Sequence, residues 1–177
     1  TGSQFSQNDF VRAELTSGTN LQLSIQDIVT NVVKWQVVTY NEAAVQSGTV
    51  AFASGDASQT AAISTIDPSK AWLLYSVDTD TGTESNIGQK LVRGRVSNST
   101  TLTFDRSSTG QAMDVTYHLV EFTDATTVQH GSAAFASATA STDVAITPVD
   151  IFRSLAVGGY LQYGGRTSYT ADDNPGY

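Results

Sequence analysis

The chain has 177 residues, with 9 basic against 17 acidic side chains and a formal net charge of -8. That balance excludes a surface dense enough in cations to neutralise a run of phosphates, so nucleic acid is not an expected partner. Without any cysteine, disulfides, thiolate metal sites and cysteine nucleophiles are excluded together.

The first segment, Thr1–Phe10, starts with Thr rather than Met, as expected of a chain that has lost a signal peptide or its initiator Met. It carries two apolar anchors, Phe5 and Phe10, among polar residues. An extended peptide of that kind is suited to docking along the sheet edge of a neighbouring copy. Six short runs follow, at Val11–Leu15, Leu21–Ile25, Val32–Tyr40, Thr49–Ser54, Thr60–Ile63 and Ala71–Val77. Each is rich in β-branched or aromatic residues and bounded by Gly, Ser, Asn or Asp, which predicts strands. Val33, Trp35 and Val37 alternate with Lys34 and Gln36, predicting one buried and one wet face. The neighbouring pair Val37-Val38 breaks that alternation, as a bulge or a strand covered on both faces would. Ile66-Asp67-Pro68-Ser69-Lys70 suits a short helical turn, with the Asp67 carboxylate capping local N–H groups. No segment carries a helical apolar period, and none approaches the ~20 apolar residues of a membrane span.

The pattern then recurs. Val11-Arg12 and Thr19-x-Leu21 return as Val92-Arg93 and Thr100-x-Leu102, displaced by 81. Val33-x-Trp35-x-Val37-Val38-x-Tyr40 returns as Val115-x-Tyr117-x-Leu119-Val120-x-Phe122, displaced by 82. Val45-Gln46-Ser47-Gly48, Ala51-Phe52-Ala53-Ser54, Ile63 and Ile66-Asp67 return as Val128-Gln129-His130-Gly131, Ala134-Phe135-Ala136-Ser137, Ile146 and Val149-Asp150, displaced by 83. Ordered matches along nearly the whole chain predict an internal duplication. The expected fold is all-β: two tandem antiparallel β-sandwich units of Ig-like or jelly-roll-like type. They are placed as an N-terminal extension over 1–10, unit one over 10–90 and unit two over 91–177. Asn86–Lys90 forms the junction and Arg166–Tyr177 a polar tail. Trp35 is expected to superimpose on Tyr117, and Phe52 on Phe135, in equivalent core positions.

The chemistry-bearing residues are few. His118 and His130 stand where the other copy has Gln36 and Ser47, so the unit does not require an imidazole, and polar-face and turn roles are expected. No base can be placed beside a serine, and no catalytic residue is assigned. Asp78-Thr79-Asp80-Thr81-Gly82-Thr83-Glu84 is the one candidate metal loop, with Asp78, Asp80 and Glu84 as calcium ligands. Gly82 falls where a third ligand belongs, and the second copy has Gly158 to Gly165 there, so the sequence favours a solvated hairpin tip. Asn98-Ser99-Thr100 is a glycosylation sequon. No cofactor is implied.

The order of aromatic strand, acidic turn and Val-Gln-x-Gly strand, Trp35 to Phe52 and Tyr117 to Phe135, resembles tandem β-sandwich repeats of bacterial surface and phage structural proteins. That resemblance implies location more than mechanism. Ser47-Gly48-Thr49-Val50-x-Phe52, then Ala71–Val77, Val92–Asp105 and Val115–Phe122, is similar to the strand order of H-type lectins, with no sugar-contacting residue carried over. Charged residues are only 15% of the chain against the ~25% of ordinary soluble domains, and a weakly self-repelling surface suits close packing of copies. The expectation is a non-enzymatic structural subunit of a repetitive extracellular assembly, a surface filament or a virion fibre or decoration protein, whose partners are copies of itself. The alternative is a carbohydrate-binding adhesion or receptor-binding module taking surface glycans, with Tyr160, Tyr163 and Tyr169 as exposed aromatics.

Overall fold

Alternating burial along the chain produces two apolar sheet faces, and these close on each other. In the structure, a computed structural model that describes residues 10–26, 32–79, 87–135 and 141–159, eight strands form. They are β1 (Arg12–Ser17), β2 (Asn20–Ser24), β3 (Ala43–Phe52), β4 (Ser58–Ala62), β5 (Ala71–Thr79), β6 (Arg93–Asn98), β7 (Thr101–Asp105) and β8 (Met113–Phe122). Short 3-10 turns occupy Pro68–Lys70 and Ile87–Gln89, and no α-helix occurs among the described residues. No described helix is long and apolar enough to cross a membrane.

One antiparallel sheet has the order β3-β8-β5 and another β4-β7-β6, while β1 and β2 make a separate hairpin. In β8, Met113, Val115, Tyr117 and Leu119 are buried, whereas Asp114, His118 and Val120 are half-buried on the opposite face. This is the strand period of two. Pairing runs without a shift through Leu119-Val120. Those apolar neighbours are therefore the two faces of a central strand, with Val120 between Val45 and Trp72, and not a bulge. Across the core lie Leu102 and Phe104 of β7, both fully buried, with Phe52 closing one side. Phe104 meets Tyr75 edge-on at 5.7 Å between ring centroids and Tyr117 at 6.0 Å. Each of these side chains contributes roughly 1.5–3 kcal/mol by leaving water.

Gly48 is required by that packing. A Cβ at Gly48 would lie 2.7 Å from the Tyr117 hydroxyl oxygen and 3.0 Å from the ring. The ring cannot retreat, because Phe104 stands behind it. Gly48→Ala is expected to destabilise by about 1–3 kcal/mol, the usual cost of overpacking. Gly131→Ala, at a position where a Cβ would meet nothing within 4 Å, should leave the denaturation midpoint unchanged. Equal effects at the two glycines would contradict this packing account.

A buried arginine seals one end of the sandwich. Arg106 donates through Nε to the Asp56 carbonyl at 2.7 Å, through Nη1 to the Gln89 and Gln111 carbonyls, and through Nη2 to the Ala53 and Ser54 carbonyls. Its guanidinium also lies 5.4 Å from the centre of the Phe52 ring. Burial pulls its pKa down, and the charge of Asp56 opposes the shift. One side chain thus ties the β3–β4 turn to the Ile87–Gln89 turn and to the loop before β8.

Strands on both sides of residue 90, β3 to β5 and β6 to β8, build this sandwich. The boundary expected from the sequence at 90/91 falls between strands that share a sheet. Residues 32–40, 123–135 and 141–159 carry no strand. Trp35 and Tyr117 therefore do not occupy equivalent positions: Trp35 is 61% exposed and Tyr117 only 7%. Phe52 and Phe135 differ in the same way, at 2% and 65%. The reason is partnership. Residues 115–122 find a strand on each side, β3 and β5, whereas 32–40 has the same apolar pattern and no strand paired with it among the described residues. β3 also starts at Ala43, earlier than the expected Thr49, because β8 pairs with all ten of its residues.

Candidate functional site

Only some of the residues singled out by sequence lie among the described residues. Asp78 lies within β5, fully buried, and its Oδ2 accepts from Arg12 Nε at 3.1 Å and Gln26 Nε2 at 3.4 Å. Its Oδ2 is thus paired with a guanidinium. Asp80 and Glu84 lie outside the described residues, as do Phe5, Tyr160, Tyr163 and Tyr169. Among the described residues, no group of three or more His, Cys, Asp or Glu is placed to hold a metal ion. Phe10 is buried against its own subunit, with Lys90 Nζ 5.9 Å from its ring centre.

The histidines are held by the fold. His130 Nε2 lies 3.0 Å from the Pro68 carbonyl. His118 Nδ1 lies 2.7 Å from Ser47 Oγ, a pair that sequence spacing does not reveal because the residues are 71 apart. A serine beside an imidazole is the first part of a nucleophile–base arrangement. Here the two are directly opposed across β3 and β8, on the sheet face away from the core. No carboxylate among the described residues is hydrogen-bonded to the other ring nitrogen. The contact has the form of a cross-strand polar pair.

Asp67 caps the Pro68–Lys70 turn as expected, its Oδ1 accepting from Ser69 N at 2.9 Å and Ser69 Oγ at 2.7 Å. The Ser69 hydroxyl and then its N–H hold the Asp67 carboxyl below its ordinary value. Asp150 does the same work, accepting from Phe152 N at 3.0 Å. Asn98 uses its side-chain oxygen within the β6–β7 turn, accepting from Thr100 N at 2.8 Å.

Larger in extent is a set of uncovered apolar side chains in two arms flanking the sandwich. In the N-terminal arm, 10–40, Leu15, Leu23, Val32, Val33, Trp35, Val37, Val38 and Tyr40 are exposed. The C-terminal arm, 123–159, exposes among others Phe135, Ile146, Ile151, Phe152 and Leu155. Large contiguous apolar patches are uncommon on soluble monomers.

Both arms share local geometry with the sandwich. β1 pairs β2 as β6 pairs β7: Arg12 with Ser24 matches Arg93 with Asp105, and Leu15 with Leu21 matches Val96 with Leu102. Even the register shifts correspond, Leu15/Ser17 with Val96/Asn98. Gln46 exchanges two hydrogen bonds with the Ser64 backbone, Nε2 to Ser64 O at 3.1 Å and Oε1 from Ser64 N at 2.7 Å. Displaced by 83, Gln129 exchanges the same two with Thr147, at 3.0 and 2.8 Å. Lys70 N to Asp67 O returns as Arg153 N to Asp150 O, both at 3.0 Å. The C-terminal arm thus repeats the local turns of 46–70, with no strand over it among the described residues. The sequence signal for these matches was the run of displacements 81 to 83; what it did not reveal was that the arms are uncovered. Comparison with known proteins finds no matching family model, no matching curated protein and no matching solved structure.

Proposed function

We propose that this chain is a non-enzymatic structural subunit that associates with copies of itself in a repetitive extracellular assembly, a surface filament or a virion fibre or decoration layer. The observation that carries the reading is the pair of uncovered apolar arms on either side of a closed sandwich. Repeat-like β units that cannot bury their own apolar faces gain stability by stacking on neighbours. The shared registers of β1–β2 and β6–β7 and the paired Gln46 and Gln129 hydrogen bonds support reading the chain as an internal duplication. Few charges on the surface keep repulsion between copies small, the more so at physiological salt, where the screening length is ~8 Å.

The test is electron microscopy and sedimentation of the purified native chain beside its Trp35→Ala variant. The native chain is expected to form ordered polymers or particles. Trp35→Ala should shift the subunit's unfolding free energy by no more than about 0.5 kcal/mol, as surface changes do, while reducing assembly. A native chain that stays monomeric at all concentrations and is retained on a glycan column would replace this reading with the carbohydrate-binding one.

A further inference from the structure

We propose that the two arms are complementary halves of a second sandwich, and that a second copy of this chain supplies the missing half: the N-terminal arm of one copy closes on the C-terminal arm of the next. The inference rests on the self-associating reading above and names its contact.

The closed sandwich is built from two three-strand contributions, β3, β4 and β5 from 43–79 and β6, β7 and β8 from 93–122. The N-terminal arm repeats the second contribution. Its hairpin has the register and the shift of β6–β7, and Val33 to Tyr40 carry the apolar positions of Val115 to Phe122. The C-terminal arm repeats the first, with the turn bonds of 46–70 recurring over 129–153. Each chain therefore carries a closed body and one half of each kind.

Register transfers directly. In the body, β8 lies between β3 and β5, with His118 opposite Ser47 and Tyr117 opposite Gly48. Displaced by 82 and 83, this puts Gln36 opposite His130 and Trp35 opposite Gly131. In the second sheet Ala61 is opposite Leu102, which puts Val144 opposite Leu21. The side chains meet the steric terms of the match. Gly48 has no Cβ because the Tyr117 ring covers it, and around Gly131 a Cβ would meet nothing within 4 Å, which leaves room for the Trp35 indole. Core positions that are buried in the body, Phe52, Val115, Tyr117 and Leu119, correspond to exposed Phe135, Val33, Trp35 and Val37. What the arms lack is one another.

The partner is a second copy because the apolar side chains of each arm are exposed in its own chain. Arg12 and Gln26 hold the β1–β2 hairpin at Asp78, and Ala13 N donates to Ser76 Oγ. The C-terminal arm leaves from the Ala71 end, where Lys70 Nζ donates to the Asp124 carbonyl and Val128 N to the Ser69 carbonyl; 32–40 enters β3 at this same end, with Tyr40 edge-on to Phe122 at 5.5 Å. Joining unlike arms is a heterologous contact, which leaves one arm of each kind free after every addition and so propagates. Ladder hydrogen bonds with alternate side-chain pockets are the physics of strand addition.

Because the chain has no cysteine, the register can be read by cross-linking. Gln36→Cys and His130→Cys single variants of the full chain, mixed and mildly oxidised under assembly conditions, are expected to give a disulfide-linked dimer. A directly opposed antiparallel pair has Cα atoms within disulfide range. Val37→Cys mixed with His130→Cys, one residue off register and on the opposite face, should give at least tenfold less. Gly131→Val, which fills the space proposed for the indole, is expected to leave the subunit's denaturation midpoint unchanged and abolish assembly. If the Gln36→Cys, His130→Cys double variant closes only within one chain, and mixed single variants never join, the second-copy proposal is overturned. Ordered particles that form without a 36–130 cross-link would overturn this contact while leaving the self-assembling reading intact. Absence of both particles and cross-link would overturn both.

Discussion

Phe104→Ala is expected to destabilise the subunit by about 3–5 kcal/mol, the usual cost of truncating a buried aromatic. Phe104 stands in β7, the middle strand of its sheet, and is fully buried. Its ring is the piece that the two sheets share: Tyr75 of β5 packs edge-on to it and Tyr117 of β8 lies against it. Aromatic contacts of this kind are worth about 0.5–1.5 kcal/mol beyond the area they bury. Gly94, opposite Phe104 in β6, has no room for a Cβ because Tyr75 and Phe104 ring atoms would lie 2.8 and 2.9 Å from it. Neighbours so tightly placed cannot collapse far into the cavity, which puts the cost toward the upper part of the range. Equilibrium denaturation in urea measures it. A loss below about 1 kcal/mol, the range of an ordinary substitution, would show that the two sheets do not pack through this ring.

Arg106→Met is expected to cost on the order of 3 kcal/mol, because buried carbonyls left without a donor cost about 1–3 kcal/mol each. The Ala53 carbonyl also accepts from Asp56 N, and the Ser54 carbonyl from Gly110 N, so the loss falls less heavily on these two. The Asp56 and Gln89 carbonyls lose the guanidinium outright. Methionine keeps much of the volume against Phe52, which separates the hydrogen-bond loss from a cavity. Arg106→Lys should recover only part of the stability, since a three-donor ammonium cannot span the five-donor fork. Hydrogen exchange adds a spatial readout: protection should fall first in the Ala53–Asp56 turn and the 106–111 loop. If Met and wild type unfold at the same denaturant concentration, Arg106 is not the seal described.

Together these changes separate subunit stability from association. Phe104 and Arg106 act inside the body, so their loss should lower the unfolding midpoint. Trp35 and Gly131 lie in the arms, where substitutions should change assembly at a constant midpoint. A protein whose arms were merely loosely packed parts of one core would not show that split.

Local side-chain pattern was enough to read most of the elements. β-branched and aromatic runs between Gly, Ser, Asn and Asp placed β1, β2, β4 and β5 within a few residues, because the strand period is set by backbone geometry alone. Asp67 and Asp150 were legible as turn residues, since the capping contact spans only two residues. The displacements of 81 to 83 were legible for the same reason: each match is local. What sequence could not supply was which of two like-patterned segments is covered. Tertiary structure decided that by burial: residues 115–122 lie between β3 and β5, and the large apolar residues of 32–40, with the same pattern, are exposed. Arg106 and the Ser47–His118 pair were hidden for a related reason. Their partners are 50 or more residues away in most cases, and only the closing of two sheets determines which carbonyls a buried guanidinium must satisfy.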